Sequence, residues 1–392
     1  MADRMSALDT DYFENRRLVA DTDFAAVRAD LAELVRSAQV AAYPDRGDLD
    51  GVLGYLGNPD EHDSEGRDLA VDKRSFSRTE LRVCATLAAE RRIPYLLYRY
   101  RFNAYPRQHQ APAMPVILAI EPTSVCNIKC VMCFQMDPEL SGRRSMRGFM
   151  SRELYEQIIA EAAAKGVGGV VLASRGEPLL HREIVDFVRI AKDAGIIDVK
   201  LNTNATRLTE ATARGLLDAG LDTLVFSVDS AVKEQFEKIR IGAKFDQIVA
   251  NIERFNEVRR TEYPHAATRT RISMVLVDRG QDADSAVGFW RSMVDEFAVR
   301  WAIPRLGIYD QAASEERRAC SLLWERLYVW WDGVVNTCDE DYLSKLQLGR
   351  IVVGEGPSLE DLWHGHVMDG YRRRHLAGAK NSLSPCHSCP GF

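Results

Sequence analysis

Long apolar runs are missing from this 392-residue sequence. Without a stretch of about 18 apolar residues a membrane-spanning helix is not expected, so no membrane partner is expected either. The opening MADRMSALDTDYFENRR is acidic and polar where a secretory leader would be basic and then apolar, which makes the expected location cytoplasmic. Basic charge is also in short supply: 51 Lys and Arg stand against 57 Asp and Glu, a net charge of -6. With no long basic block, nucleic acid is not an expected partner. Cysteine is scarce too, at eight residues. Seven of the eight fall into two groups, and in a reducing compartment such groups signal metal or redox chemistry. Cys84 stands alone.

Three regions follow from the patterning. Residues 1–110 read as a mainly helical accessory region: DFAAVRADLAELVRSAQVAAY has a helical apolar period, and SRTELRVCATLAAERR repeats it behind a Ser cap. Between them PDRGDLDGVLGYLGNPDEHDSEGRD, rich in Gly, Pro and Asp, reads as a loop. Residues 111–312 alternate strand and helix, from PVILAIEP through GGVVLAS, DVKLNTNAT, DTLVFSVD and RTRISMVLVD to VRWAIPRLG. Repeated βα units of this kind imply an α/β fold with a curled parallel sheet and functional residues at the carboxyl ends of the strands. Residues 313–392 break into short pieces with too few apolar residues for a large core, as in small domains held by metal.

In EPTSVCNIKCVMC, directly after the first strand, Cys126, Cys130 and Cys133 lie within eight positions. They are too close for plausible disulfides, whereas three thiolates on one loop can hold three irons of a 4Fe-4S cluster and leave the fourth open. A structural zinc site is the alternative. The motif resembles the radical S-adenosylmethionine (SAM) superfamily, with its CxxxCxxC loop on a partial (β/α)6 TIM-like barrel. That resemblance implies a SAM-binding 4Fe-4S cluster whose electron cleaves SAM to methionine and a hydrogen-abstracting 5'-deoxyadenosyl radical. It implies further that Gly176, Glu177 and Pro178 in ASRGEP line the SAM amino group. Asn202, Asn204, Ser227 and Asp229 would serve the ribose and methionyl end, and Arg240 the SAM carboxylate. Met132 stands where an aromatic residue usually packs on adenine.

Cys320, Cys338, Cys386 and Cys389 form the second group, with Gly333 between the first two. Four thiolates suit either zinc or a closed 4Fe-4S cluster, and ligand count does not separate them. The spacing, with WWDGVVNTC, LGRI and LEDLW, resembles the SPASM extension or its shorter twitch form, which implies one auxiliary 4Fe-4S cluster. The two resemblances together imply an oxidoreductase: a sugar or aminocyclitol dehydrogenase, with an epimerase, dehydratase, peptide maturase or non-catalytic electron carrier as alternatives. Its partners would be a small-molecule substrate and an external electron donor such as flavodoxin or ferredoxin. Arg305, with Tyr309 and Asp310 near it, is the expected base. Cys84 is a candidate hydrogen donor, although its apolar neighbours favour a buried thiol. The arginines of RRIPYLLYRYRFNAYPRQ could hold a phosphate, or belong to a packed connector.

Overall fold

The computed structural model describes residues 10–14, 22–40, 46–58 and 74–390. Its strands in chain order are β1 (Thr10–Glu14), β2 (Ile117–Ile120), β3 (Lys129–Cys130), β4 (Gly169–Leu172), β5 (Asp198–Thr203), β6 (Thr223–Ser227), β7 (Arg240–Ile241), β8 (Arg269–Leu276), β9 (Glu296–Trp301), β10 (Arg326–Val329), β11 (Val334–Asn336) and β12 (Gly349–Arg350). The main sheet has the order β1-β9-β8-β6-β5-β4-β2-β10-β11-β12. Its six central strands, β9 to β2, are all parallel and each lies beside its predecessor, which is an open (β/α)6 barrel.

Local sequence accounts for these elements. In β2, ILAI is buried at every position, as a strand covered on both faces must be. In β8, RTRISMVL alternates half-buried and buried positions, so Arg269, Arg271, Ser273 and Val275 share the lumen face. The connecting helices start at side-chain caps, Ser151 on the helix Arg152–Ala164 and Thr209 on Glu210–Asp218, where each accepts from a first-turn N–H. Their apolar faces join the strands in one core that includes Ile158, Phe187, Leu216, Phe226 and Phe255.

The N-terminal region departs from expectation in one segment. Arg46–Gly57, read as loop, is a helix, because Leu49, Val52 and Leu56 repeat at helical spacing and are buried. The low propensity of its Gly and Asp residues is outweighed by packing: Gly51 lets the Tyr100 ring approach, and Asp48 is paired with Arg101. Residues 44–45 and 59–68 of that expected loop lie outside the described residues. The helices Phe24–Val40, Arg78–Thr86 and Ala89–Ala104 share a core with Val116 and Ile117, at the start of β2. Tyr98 donates to Asp198 at 3.1 Å, the first residue of β5. These helices therefore floor the amino ends of the barrel strands. The arginines of the last helix are committed to that packing: Arg99 pairs with Glu80 at 2.7 Å and Arg101 with Asp48 at 2.7 Å.

At the opposite edge of the barrel β10 runs parallel to β2. The tail thus continues the barrel sheet, and Leu327, Val329, Leu359, Trp363 and Met368 lie in the barrel's own core. Among the described residues no helix is long and apolar enough to cross a membrane.

Candidate cofactor site and barrel lumen

The loop that follows β2 is fastened from several sides. Thr123 bridges to Phe149, and β3 pairs with β7, placing Cys130 opposite Arg240. Gln135 donates to the carbonyls of Ser124 at 2.8 Å and Arg175 at 2.5 Å. Cys126, Cys130 and Cys133 line one cavity of about 810 Å³ together with Gly176, Glu177, Asn202, Asn204, Ser227, Arg240 and Met132. Most of the residues expected to hold SAM are therefore brought together at the carboxyl ends of β4, β5 and β6. Pro178 is buried just behind them at the start of a short 3-10 turn.

Individual roles are sharper in the structure. Gly176 is required by close approach: a Cβ there would meet Thr123 O at 2.2 Å and Val125 O at 2.6 Å. Glu177 is buried and its carboxylate is occupied, accepting from Thr203 Oγ1 at 2.6 Å, the Asn204 N–H at 2.7 Å and the Leu179 N–H at 3.0 Å. It locks the end of β5 to the ASRGEP turn. Burial raises its pKa, with these hydrogen bonds and Arg240 opposing. Asp229 accepts from the Val275 N–H at 2.9 Å and pairs with Arg240 at 2.7 Å, and Arg240 reaches Cys130 Sγ at 3.5 Å. Burial works against the Arg240 charge, but Asp229 and Cys130 outweigh it and push its pKa up. A fixed cation thus stands beside the thiols.

The site fits the expected groups. Ser174 Oγ and Asn202 Oδ1 are buried without a hydrogen-bond partner at the cavity, which suits a polar ligand such as SAM. Burial pushes the thiol of Cys126 up to about 11 and that of Cys133 up to about 12. They would ionise only against a metal's positive charge. Among the described residues no three His, Cys, Asp or Glu side chains are placed to hold one metal ion.

The second group is built on the tail. Gly333, at φ 84°, makes the turn between β10 and β11; a Cβ there would meet Ile351 O at 2.1 Å. Cys338 follows β11, while Cys386 and Cys389 flank a turn in which the Cys389 N–H donates to Pro385 O. Cys320 donates its N–H to His375 Nδ1 at 3.2 Å. Burial pushes the Cys320 thiol up to about 12, with Cys389 adding to it.

Several residues that sequence reasoning missed join the two sites. Glu121, at the end of β2, holds Arg175 through two contacts of 2.7 Å, and both side chains are buried. Arg175 also donates to Tyr342 O in the tail at 3.0 Å and lies 4.3 Å above the Trp330 ring. In the lumen, Lys200 projects beside Arg271 and Asp198. Its position could have been read from Asn202, two residues on along the same strand.

One other expectation, Arg305, is corrected, and the alternatives beside it and at Cys84 are closed. Arg305 is not placed as a base: it pairs with Asp339 at 3.3 Å and Glu340 at 2.9 Å. Burial opposes its charge, but Glu340 and Asp339 outweigh burial and hold the proton more tightly. Tyr309 is buried, donating to Asp341 at 3.0 Å, while Asp310 is exposed. Cys84 is fully buried among the N-terminal helices, and burial pushes its thiol up to about 12. It does not line the lumen cavity and so cannot hand a hydrogen atom to a substrate there.

An open parallel barrel with three thiols after its first strand, beside a four-thiol tail, defines a cluster-bearing enzyme. Residues 120–276 match the radical SAM superfamily model and residues 320–390 the model of the iron-sulfur cluster-binding SPASM domain. The chain carries a radical SAM domain followed by a SPASM-type domain, and with them the cofactor set of a SAM-binding 4Fe-4S cluster, SAM and an auxiliary iron-sulfur cluster. It is similar to a GTP 3',8-cyclase of Lactiplantibacillus plantarum, 26% identical over 66% of this chain and 69% of that one. It also resembles a GTP 3',8-cyclase of Limosilactobacillus fermentum, 28% identical over 74% and 77%. A probable GTP 3',8-cyclase of Methanococcus maripaludis is 34% identical over 35% and 44%. The fold is shared with native anSMEcpe with bound AdoMet, at 16% identity, TM-score 0.51, and coverage of 70% and 88%. These relatives overturn the expected sugar or aminocyclitol dehydrogenase and, with it, the oxidoreductase class. Cluster motifs report how a radical is made and carry no information about which substrate receives it.

Proposed function

We propose that this chain is a radical SAM enzyme acting on a small anionic substrate held in the barrel lumen, with GTP as the first candidate. One observation carries the reading: in a chain of net charge -6, ten Lys and Arg side chains line the cavity against five Asp and Glu, although Arg175, Arg240, Arg305 and Arg326 are also paired with carboxylates behind the lining. An excess of one sign in low-dielectric walls concentrates the opposite sign, and guanidinium forks match phosphate oxygens. The naming of relatives as GTP 3',8-cyclases makes GTP the natural member of that class.

The chain's residues then divide the work. Gly176 and Glu177 shape the SAM pocket, Arg240 brings a guanidinium, paired with Asp229, beside it, and Met132, which lines the same cavity, is offered to the adenine. A 4Fe-4S cluster held by Cys126, Cys130 and Cys133 would supply the electron for reductive cleavage of SAM to a hydrogen-abstracting radical. Deeper in the lumen Arg269 and Arg271 are aligned by Glu296, at 3.1 Å and 2.6 Å, so their forks are held before a substrate enters. The walls formed by the floor helices and the tail restrict water. An external one-electron donor, flavodoxin or ferredoxin, is the proposed reductant.

The test is anaerobic incubation of reconstituted protein with SAM and reductant, with and without GTP, measuring 5'-deoxyadenosine and any new guanine-containing product. GTP should bind and should stimulate SAM cleavage, and Arg271→Ala should weaken both. Absence of binding together with unstimulated cleavage removes GTP from the reading.

A further inference from the structure

Lys380 is among the most completely buried side chains of the protein, at 1% exposure. A lysine in that position needs an explanation, because its ammonium carries three donors and a full charge. One donor is used, on the backbone carbonyl of Cys389 at 3.2 Å. Among the described residues no carboxylate lies within ion-pair distance of it. Glu316, which feels its field, is turned instead to Arg318 at 2.7 Å. Burying an ammonium without an ion-pair partner is costly, and negative charge nearby would offset that cost.

That charge is supplied by the second cysteine group. The field of Lys380 acts on both Cys320 and Cys386, and its hydrogen bond is to the backbone of Cys389. With four thiolates around a 4Fe-4S core the oxidised centre carries two negative charges, and the one-electron reduced centre carries three. An ammonium beside it stabilises both states and the more negative one further. We propose that Lys380 is the built-in counter-ion of the auxiliary cluster and holds its reduction potential up. This inference rests on the SPASM-type site and not on the identity of the substrate. It concerns a positioning residue, since Lys380 touches the ligand backbone and not the reacting atoms.

Hydrogen bonding from His375 is a separate influence. That ring accepts from the Cys320 N–H through Nδ1 and so acts on the backbone of one ligand. Lys380 likewise reaches a ligand backbone, at Cys389 O, and it is the buried ammonium of this group.

The test is potentiometric titration of the auxiliary cluster, followed by electron paramagnetic resonance, in the protein whose Cys126, Cys130 and Cys133 are replaced by Ala so that one cluster is read. Lys380→Met should make reduction at least tenfold less favourable, which for a one-electron couple is about 59 mV downward. Lys380→Arg should restore most of the loss. If the Met variant fails to hold the cluster while the Arg variant holds it, the positive charge is needed for assembly and the proposal stands. An unchanged potential in the Met variant overturns it. So does loss of the cluster in both variants, or a Met potential that Arg does not restore, because shape and not charge would then be what matters.

Discussion

Replacing Glu121 by Gln is the most informative single change, because the Glu121–Arg175 pair ties the barrel to both cysteine groups. Glu121 is fully buried, and its two oxygens take guanidinium N–H groups of Arg175 at 2.7 Å and the Arg175 backbone N–H at 3.1 Å. Gln keeps the shape but loses the charge and turns an NH2 towards a donor. Arg175 is then left with the Tyr342 carbonyl and the face of Trp330. Breaking a buried pair from one side costs about 3 to 5 kcal/mol, since a charge is left without its partner. That is a large part of an ordinary domain's stability.

Arg175 directly precedes Gly176 and its carbonyl receives Gln135 from the cysteine loop. Glu121→Gln should therefore lower the unfolding midpoint of reconstituted protein by roughly 5 °C, and it should also weaken SAM binding. The double variant Glu121→Leu, Arg175→Met removes both charges at similar volume and should recover most of the lost stability. Calorimetry of the wild type, both single variants and the double gives the coupling. A Glu121→Gln midpoint within one degree of wild type, or a double variant no better than the sum of the singles, would falsify the idea that the buried pair is what matters here.

Iron analysis should give about eight irons per reconstituted chain for two cubane clusters, falling to about four when Cys126, Cys130 and Cys133 become Ala or when Cys386 and Cys389 do; one zinc in place of the second four would replace the auxiliary cluster. Gly176→Ala should lose SAM binding and about 1 to 3 kcal/mol of stability, because its Cβ would press on two backbone carbonyls, and equilibrium dialysis with labelled SAM reads this directly. Burial, then Arg271, lower the pKa of Lys200 to about 7, below the 10.5 of an unfolded lysine. Between these values the unfolded chain binds more protons, so the penalty is complete below pH 7 and stability should rise towards pH 10. Lys200→Met should remove that rise in unfolding midpoint, and a variant with the wild-type slope would show that Lys200 does not titrate in the lumen.

The barrel was legible because its strands and helices follow simple periods, and the cysteine spacing sits where only a few chemistries use it. The helix Arg46–Gly57 was not legible. Its Gly and Asp residues carry the local signal, while the burial of Leu49, Val52 and Leu56 against neighbouring helices decides the outcome. The tail was legible as a cluster holder but not as part of the barrel sheet, since nothing in RLYV announces a parallel partner a little over two hundred residues earlier. Arg305 shows another limit. Its place after the last barrel strand suggested a role at the mouth, but Asp339 and Glu340, beside Cys338, claim the guanidinium from the tail.

Substrate choice fails to show in the sequence for a related reason. Net charge sums every side chain, whereas a ligand meets those that strand alternation turns inward. Asp198, Lys200 and Asn202 alternate with Val199 and Leu201 on β5, and Arg269 and Arg271 do the same on β8. An acidic chain can therefore enclose a lumen richer in bases, and the acids inside it are engaged: Glu296 aligns Arg269 and Arg271, Asp198 anchors Tyr98, and Glu80 and Asp339 pair with Arg99 and Arg305. What remains for an incoming group is positive charge already fixed in direction, together with a lysine whose proton is easily exchanged near neutrality. On the proposed reading, ligands that bring their own negative charge repay the loss of solvation around these cations, and neutral sugars do not.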